Sequence, residues 1–266
     1  MDLQLENKHV LITGASGGIG NEIVRQFLSE GTNITAQYNT KNDTLQDILK
    51  SHSKNIQAVQ ADLRKEVDVQ NLFNQATEKF GRIDILIANA GVWPKEHVPI
   101  HKITLERWNN TLATDLTASF LCVKYFNQNL VNYPSEFGSI ILIGSTAGVF
   151  GEANHGDYAS AKAALKGLMF SVKNEMIHLA PKGRINLVNP GWVVTPMAKD
   201  ALKDTHSVKR ILQTIPMRKV ATPADIANTV VFLSSDKAAG HISGQSITIA
   251  GGMEGRVLFE REEITI

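Results

Sequence analysis

The sequence predicts an α/β protein in which one doubly wound parallel sheet, of seven strands, is flanked by helices on both faces. Three observations carry this reading. Short apolar runs recur along the chain, the stretches between them are long enough for a helix and carry helical spacing, and the runs are apolar at consecutive positions. Alternating strands and helices build βαβ units, and strands apolar on both sides belong to a sheet that is covered on both faces.

The elements follow in order. HVLIT (9–13) is the first strand, and TGASGGIG (13–20) turns it into a helix whose apolar face is Ile19, Ile23, Phe27 and Leu28, stopped by Gly31. NITAQY (33–38) and IQAVQA (56–61) are the second and third strands, and Val69, Leu72, Phe73 and Ala76 mark the next helix. DILIA (84–88) is the fourth strand and SIILIG (139–144) is the fifth. A helix carries 155–165, INLVN (185–189) is the sixth strand, a helix starts near Pro223, and SITIA (246–250) is the seventh. Two irregular stretches, 92–103 and 192–222, follow strand C-terminal ends, where open α/β sheets bind ligands, and are candidate substrate loops. No linker, repeat or low-complexity tract divides the chain, so residues 1–253 form one domain. Residues 254–266 extend past it as a tail whose Val257, Leu258, Phe259, Ile264 and Ile266 either cover a subunit interface or the substrate cleft, or leave it partly ordered.

Composition narrows the function classes. The 266 residues are 43% hydrophobic and 20% charged, as expected of a globular protein, and 27 basic against 26 acidic side chains leave a net charge of +1 with no basic track for nucleic acid. Cys122 is the single cysteine, which excludes an internal disulfide and a thiolate metal cluster and agrees with a reducing compartment. No apolar run approaches ~18 residues and the N-terminus lacks a leader pattern, so a cytoplasmic protein without a membrane segment is expected. The eight histidines are scattered without metal-ligand spacing; His155 reads as a loop residue near Tyr158 that could touch substrate.

The strand–turn–helix at 9–31 carries the first chemistry. Gly14, Gly18 and Gly20 permit a tight turn and close approach of backbone to a pyrophosphate, with Ser16 and Ile19 in the same turn and the helix N-terminus facing the anion. The second strand ends in Tyr38, Asn39, Thr40 and Lys41, with no carboxylate before Asp43. An acid at that point would grip the ribose 2′-hydroxyl of NAD, and its absence removes repulsion toward a 2′-phosphate. NADP(H) is therefore favoured, while Gly17, where a basic residue often assists, keeps NAD(H) or dual use open.

HGDYASAKAAL (155–165) carries the second. Tyr158 and Lys162 stand at i and i+4 on one helix face, where an ammonium favours ionisation of a phenol; an ordinary surface lysine one turn after a half-buried tyrosine is the alternative.

Taken with ADL (61–63), ANAG (88–91), Ser145 in LIGSTAG, NPGWVVTPM (189–197) and ISGQSITIAGGM (242–253), these motifs resemble the short-chain dehydrogenase/reductase family over nearly the whole chain, in particular 3-oxoacyl carrier-protein reductases and glucose dehydrogenase-like members. The resemblance implies a Rossmann fold and an oxidoreductase that interconverts a carbonyl and a secondary alcohol. It implies that Ser145 hydrogen-bonds the substrate oxygen, that Tyr158 is the acid/base, and that Lys162 binds the nicotinamide ribose and lowers the tyrosine pKa. Asp62 and Leu63 would hold the adenine, Asn89, Ala90 and Gly91 would line the cofactor cleft, and Pro190, Gly191, Val193 and Thr195 would place the nicotinamide. A homotetramer or homodimer, built through two long helices at about 104–131 and 157–181, is implied as well.

Two positions depart from the family pattern. Asp115 stands where an asparagine is usual, adding a negative charge near Lys162 that opposes tyrosinate; either it substitutes with a shifted pH optimum or turnover is impaired. Ala250 replaces an aspartate before two glycines, a structural position. The substrate is a small carbonyl or alcohol, its pocket shaped by Trp93, Pro94, Glu96 and His97 and by Trp192, Met197 and Leu202. The alternatives are an NAD-dependent sugar or polyol dehydrogenase and a catalytically weakened cofactor-binding regulator, the latter favoured by Asp115 alone.

Overall fold

The computed structural model describes residues 2–198 and 202–264. Seven parallel strands form one sheet: β1 (His9–Ile12), β2 (Asn33–Tyr38), β3 (Ile56–Gln60), β4 (Ile85–Ala88), β5 (Phe137–Ile143), β6 (Lys182–Pro190) and β7 (Ser246–Ile249). Their order is β3-β2-β1-β4-β5-β6-β7. The direction of winding reverses between β1 and β4, which opens a crevice beyond the C-terminal ends of those strands.

Alternation along β1 shows how the faces are filled. Leu11 packs into a cluster with residues of α3 (Glu66–Phe80), α5 (Ala118–Asn132) and α7 (Gly156–Met176), among them Leu72, Phe126 and Leu165. Val10 and Ile12 point to the other face, where Ile23 and Phe27 of α1 (Gly18–Ser29) meet Val230 of a helix over Pro223–Ser234. That last helix is α9; the remaining helices are α2 (Gln46–Ser51), α4 (Leu105–Leu112), α6 (Thr146–Phe150), α8 (Thr205–Leu212) and α10 (Asp236–Ala239). Pro223 opens α9 at a position that loses no hydrogen bond, behind a capping box in which Thr222 and Asp225 bond reciprocally.

The long helices differ from their expected bounds. The first is two α-helices, α4 and α5, joined by a π turn over Ala113–Thr117, and the widened turn carries Asp115 inward to full burial. The second stops at Met176, where the chain tightens ahead of Pro181: the His178 and Leu179 N–H groups bond three residues back, to the Glu175 (3.1 Å) and Met176 (3.0 Å) carbonyls, and the Ala180 N–H also closes on Met176 at 2.9 Å.

A third apolar cluster stands apart from the two that sandwich the sheet. Ile211 and Leu212 of α8 and the following Ile215 are covered by Phe259 and Ile264 of the tail, with Trp192 and Leu202 at the margin. The tail is further fixed by the Leu258 N–H to the Gln213 carbonyl (2.8 Å), Gln213 Nε2 to the Phe259 carbonyl (3.0 Å), and the Arg218 guanidinium 4.0 Å over the Phe259 ring. Residues 254–264 are thus tied to α8 and the turn that follows it, while Ile266 lies outside the described residues. Cys122 is buried and its thiol is pushed up to about 12, so it packs as an apolar side chain. Among the described residues no helix is long and apolar enough to cross a membrane, and no His/Cys/Asp/Glu group is set to hold a metal ion.

Candidate active site

The glycine turn is built from its neighbours. Gly14 adopts φ +61°, open to glycine, and its N–H donates to Gln37 Oε1 at 2.8 Å, while Gln37 Nε2 donates to the Ala61 carbonyl at 2.8 Å. From the other side Asn89 Nδ2 donates to the carbonyls of Thr13 (3.0 Å) and Gly14 (3.1 Å), and the Thr13 hydroxyl accepts from the N–H groups of Asn89 (2.9 Å) and Ala90 (3.0 Å). The start of α1 has neither a side-chain cap nor an acidic residue, so its first N–H groups and the positive end of its dipole are left for an anion. A Cβ on Gly18 would stand 2.8 Å from Thr195 Cγ2, and one on Gly20 would stand 2.8 Å from Asn89 Nδ2. Backbone without side chains, roofed by Thr195 and aimed at an anion, fits a dinucleotide pyrophosphate.

Beyond β2, Asn39, Thr40 and Lys41 are exposed. Their segment is tied to the turn by the Thr44 hydroxyl, which donates to the Ser16 carbonyl at 2.9 Å, and by Asn21 Nδ2, which donates to the Thr44 carbonyl at 2.9 Å. At the end of β3, Asp62 makes a bidentate pair with Arg64 (2.8 and 2.8 Å), whose hydrogen bonds hold its carboxyl below the usual range. Leu63 is buried beside it.

Ser145, Tyr158 and Lys162 meet across the crevice from β4. Ser145 caps α6, its oxygen accepting the Ala147 N–H at 3.1 Å. Tyr158 and Lys162 stand on consecutive turns of α7, 8% and 4% exposed, with Lys162 Nζ 5.7 Å from the centre of the phenol ring. Lys162 Nζ also donates to the Ile143 carbonyl at 3.2 Å and pairs with Asp115 Oδ1 at 3.3 Å, and the same oxygen accepts the Val92 N–H at 3.1 Å. Gly91 leaves room for this pair: a Cβ there would lie 2.5 Å from Asp115 Oδ1.

The charges act on one another. Burial pushes the Tyr158 phenol up; the Lys162 ammonium opposes the rise, the Asp115 carboxylate adds to it, and the Ser145 hydroxyl opposes it through a hydrogen bond, leaving the phenol above its ordinary value. Burial pulls Lys162 down, but Asp115 and Tyr158 outweigh it, so the ammonium is held above its ordinary value. Burial raises Asp115 against the Lys162 charge, and its Oδ2 has no partner among the described residues.

Residues 14–254 match a family model described as Enoyl-(Acyl carrier protein) reductase. A 3-oxoacyl-acyl-carrier-protein reductase FabG of Staphylococcus epidermidis is 33% identical over 254 residues, 93% of this chain and 99% of the relative. The chain belongs to the short-chain dehydrogenase/reductase family. A 3-oxoacyl-acyl-carrier-protein reductase of Synechocystis is 32% identical over 91% of this chain and 95% of its own length. Among solved structures, a glucose/ribitol dehydrogenase of this family from Brucella melitensis superimposes with a TM-score of 0.83 at 28% identity, covering 93% of this chain and 96% of that one. The chain is thus an NAD(P)-dependent short-chain dehydrogenase/reductase.

The remaining expected residues lie at the end of β6 and in the segments that follow β4 and β6. Pro190 ends β6, Gly191 packs on Ala250, Val193 bridges to Ala221, and Thr195 roofs α1. Trp93 and Trp192 are half-buried, and Met197 is exposed. Four residues escaped the sequence reading. Thr13 and Gln37 brace the glycine turn, and a glutamine inside the apolar second strand was the available signal. Arg107 and Asp157 form a pair at 2.9 Å beside Tyr158, with the Thr111 hydroxyl donating to the same carboxylate oxygen; burial pushes Asp157 up, and the hydrogen bonds from Arg107 and Thr111 outweigh it and hold it low. Fifty positions apart in sequence, those two gave no local signal.

Proposed function

We propose that this chain is an NADP(H)-preferring reductase of the family, interconverting a ketone and a secondary alcohol with Tyr158 as the acid/base, and that 3-oxoacyl thioesters are the substrate class to test first. The observation that carries the reading is the convergence of Ser145, Tyr158 and Lys162 beside a glycine turn that fits a pyrophosphate. The NADP(H) preference is supported by exposed Asn39, Thr40 and Lys41 at the end of β2, with no carboxylate before Asp43. The substrate class is supported by the names of the relatives that cover the chain.

When bound, the nicotinamide supplies hydride for reduction and accepts it for oxidation. As negative charge grows on the substrate oxygen, the hydroxyls of Ser145 and Tyr158 donate to it, stabilising the transition state more than the ground state. Tyr158 then passes its proton to that oxygen, and the Lys162 ammonium eases the loss by favouring phenolate. Assembly into a homodimer or homotetramer through α5 and α7 is supported by the apolar residues these helices leave exposed, Phe120, Val131 and Phe170.

The test follows NADPH and NADH oxidation with a short 3-oxoacyl thioester and a ketone panel. Turnover with NADPH in excess of NADH, abolished about 10²–10⁴-fold in Tyr158→Phe, is expected. The buried Asp115–Lys162 pair favours a second reading, a cofactor-binding regulator, and cofactor binding without turnover on any carbonyl would select it.

A further inference from the structure

We infer that Trp93 is the specificity-determining wall of the substrate pocket, and that His155 and Arg107 are positioning residues that hold it against Tyr158. The inference rests on Tyr158 being the acid/base group, as proposed above.

Residues 92–98 follow β4 without regular secondary structure, and such a segment is ordinarily free to move. Beyond its first residue, where the Val92 N–H donates to Asp115 Oδ1 at 3.1 Å, it is fastened at three further points. The Pro94 carbonyl accepts from His155 Nε2 at 3.0 Å, the Glu96 carbonyl accepts from Arg107 Nη1 at 2.9 Å, and the Val98 N–H donates to the Asn154 carbonyl at 3.0 Å. Asn154 and His155 immediately precede α7, and Arg107 also grips Asp157 in its first turn, so each of these three ends beside the residue that carries the phenol. The wall and the phenol therefore move as one body.

What the fastenings present is the indole. Trp93 stacks on the fully buried His155 ring with centroids 4.0 Å apart and planes 25° apart, and it meets the Tyr158 ring edge-on at 4.9 Å and 77°. Whatever carbonyl accepts the tyrosine proton must carry one of its two substituents past this ring. A flat, rigid side chain held on both flanks sets the size of that substituent, and a floppy one would not.

The test compares kcat/KM for a small methyl ketone and a bulky aryl ketone, with NADPH as hydride donor. Trp93→Ala is expected to shift the bulky-to-small ratio by about tenfold or more toward the bulky substrate, the discrimination typical of apolar pockets. Trp93→Phe, which keeps an aromatic fold partner, is expected to move it part of the way. His155→Ala and Arg107→Gln are expected to raise KM for the ketone about fivefold or more, with kcat and the NADPH dissociation constant changed about twofold or less, and His155→Gln, which keeps a donor for Pro94, to recover part of that loss. An unchanged ratio in both Trp93 variants, or lowered thermal stability of the His155 and Arg107 variants without a change in KM, overturns the inference. Retained turnover in Tyr158→Phe would instead strike at the functional reading beneath it, whatever the Trp93 variants do.

Discussion

A carboxylate 3.3 Å from the Lys162 ammonium alters the proton chemistry of the phenol one turn away. Burial is the largest upward push on Tyr158, and Asp115 adds a further one that Lys162 and Ser145 only partly offset. Asp115→Asn removes that push, so the phenol of the variant ionises at lower pH. In the proposed mechanism alcohol oxidation needs the Tyr158 phenolate and carbonyl reduction needs the phenol. The rising limb of kcat/KM for oxidation, and the falling limb for reduction, should both move toward lower pH in pH-rate profiles of the variant. Asp115→Ala goes further, because besides the counter-charge it removes the oxygen that accepts from Lys162 and from the Val92 N–H; chemical denaturation should report a loss of about 3–5 kcal/mol. Gly91→Ala forces a Cβ to within 2.5 Å of Asp115 Oδ1 and 2.9 Å of Lys162 Nζ, which neither buried group can yield. Overpacking of that kind costs about 1–3 kcal/mol, and turnover should fall even where the protein remains folded at assay temperature.

At the scale of elements, what was legible depended on how local its cause is. The strands showed as consecutive apolar residues because both faces of the sheet are covered, and the glycine turn showed because its backbone conformation needs glycine at Gly14. The π turn at Ala113–Thr117 was not legible, since no glycine or proline marks it; that Asp115 lies near Lys162 was expected from the family resemblance alone, because the two are far apart in sequence. The site divided in the same way. Tyr158 and Lys162 announced themselves by an i, i+4 spacing, whereas Arg107 and Asp157 are brought together by the packing of α4 on α7. The tail left two readings open, and its apolar residues turn out to cover α8. Ending the chain after Met253 would strip Phe259 and Ile264 from Ile211 and Leu212. Such a truncation should raise KM for the carbonyl substrate and lower the melting temperature, with the dissociation constant for the cofactor little changed, in steady-state kinetics and titration of the truncated enzyme.

The whole molecule is held by two large apolar clusters on the two faces of the sheet and a small third one between α8 and the tail. A ligand that binds the folded state alone raises its stability by mass action, about 2.7 kcal/mol at a hundredfold excess over the dissociation constant. NADP(H) should therefore raise the melting temperature more than NAD(H) at equal concentration, measured by thermal shift. The third cluster shares no member with the other two, so it can open while the sheet stays intact. Amides of 205–215 and 256–264 should exchange with deuterium well before those of β1, β4 and β5. On slow heating the enzyme would consequently fall silent at a temperature where its circular dichroism still reads as native, and on prompt cooling it would resume work without having to refold.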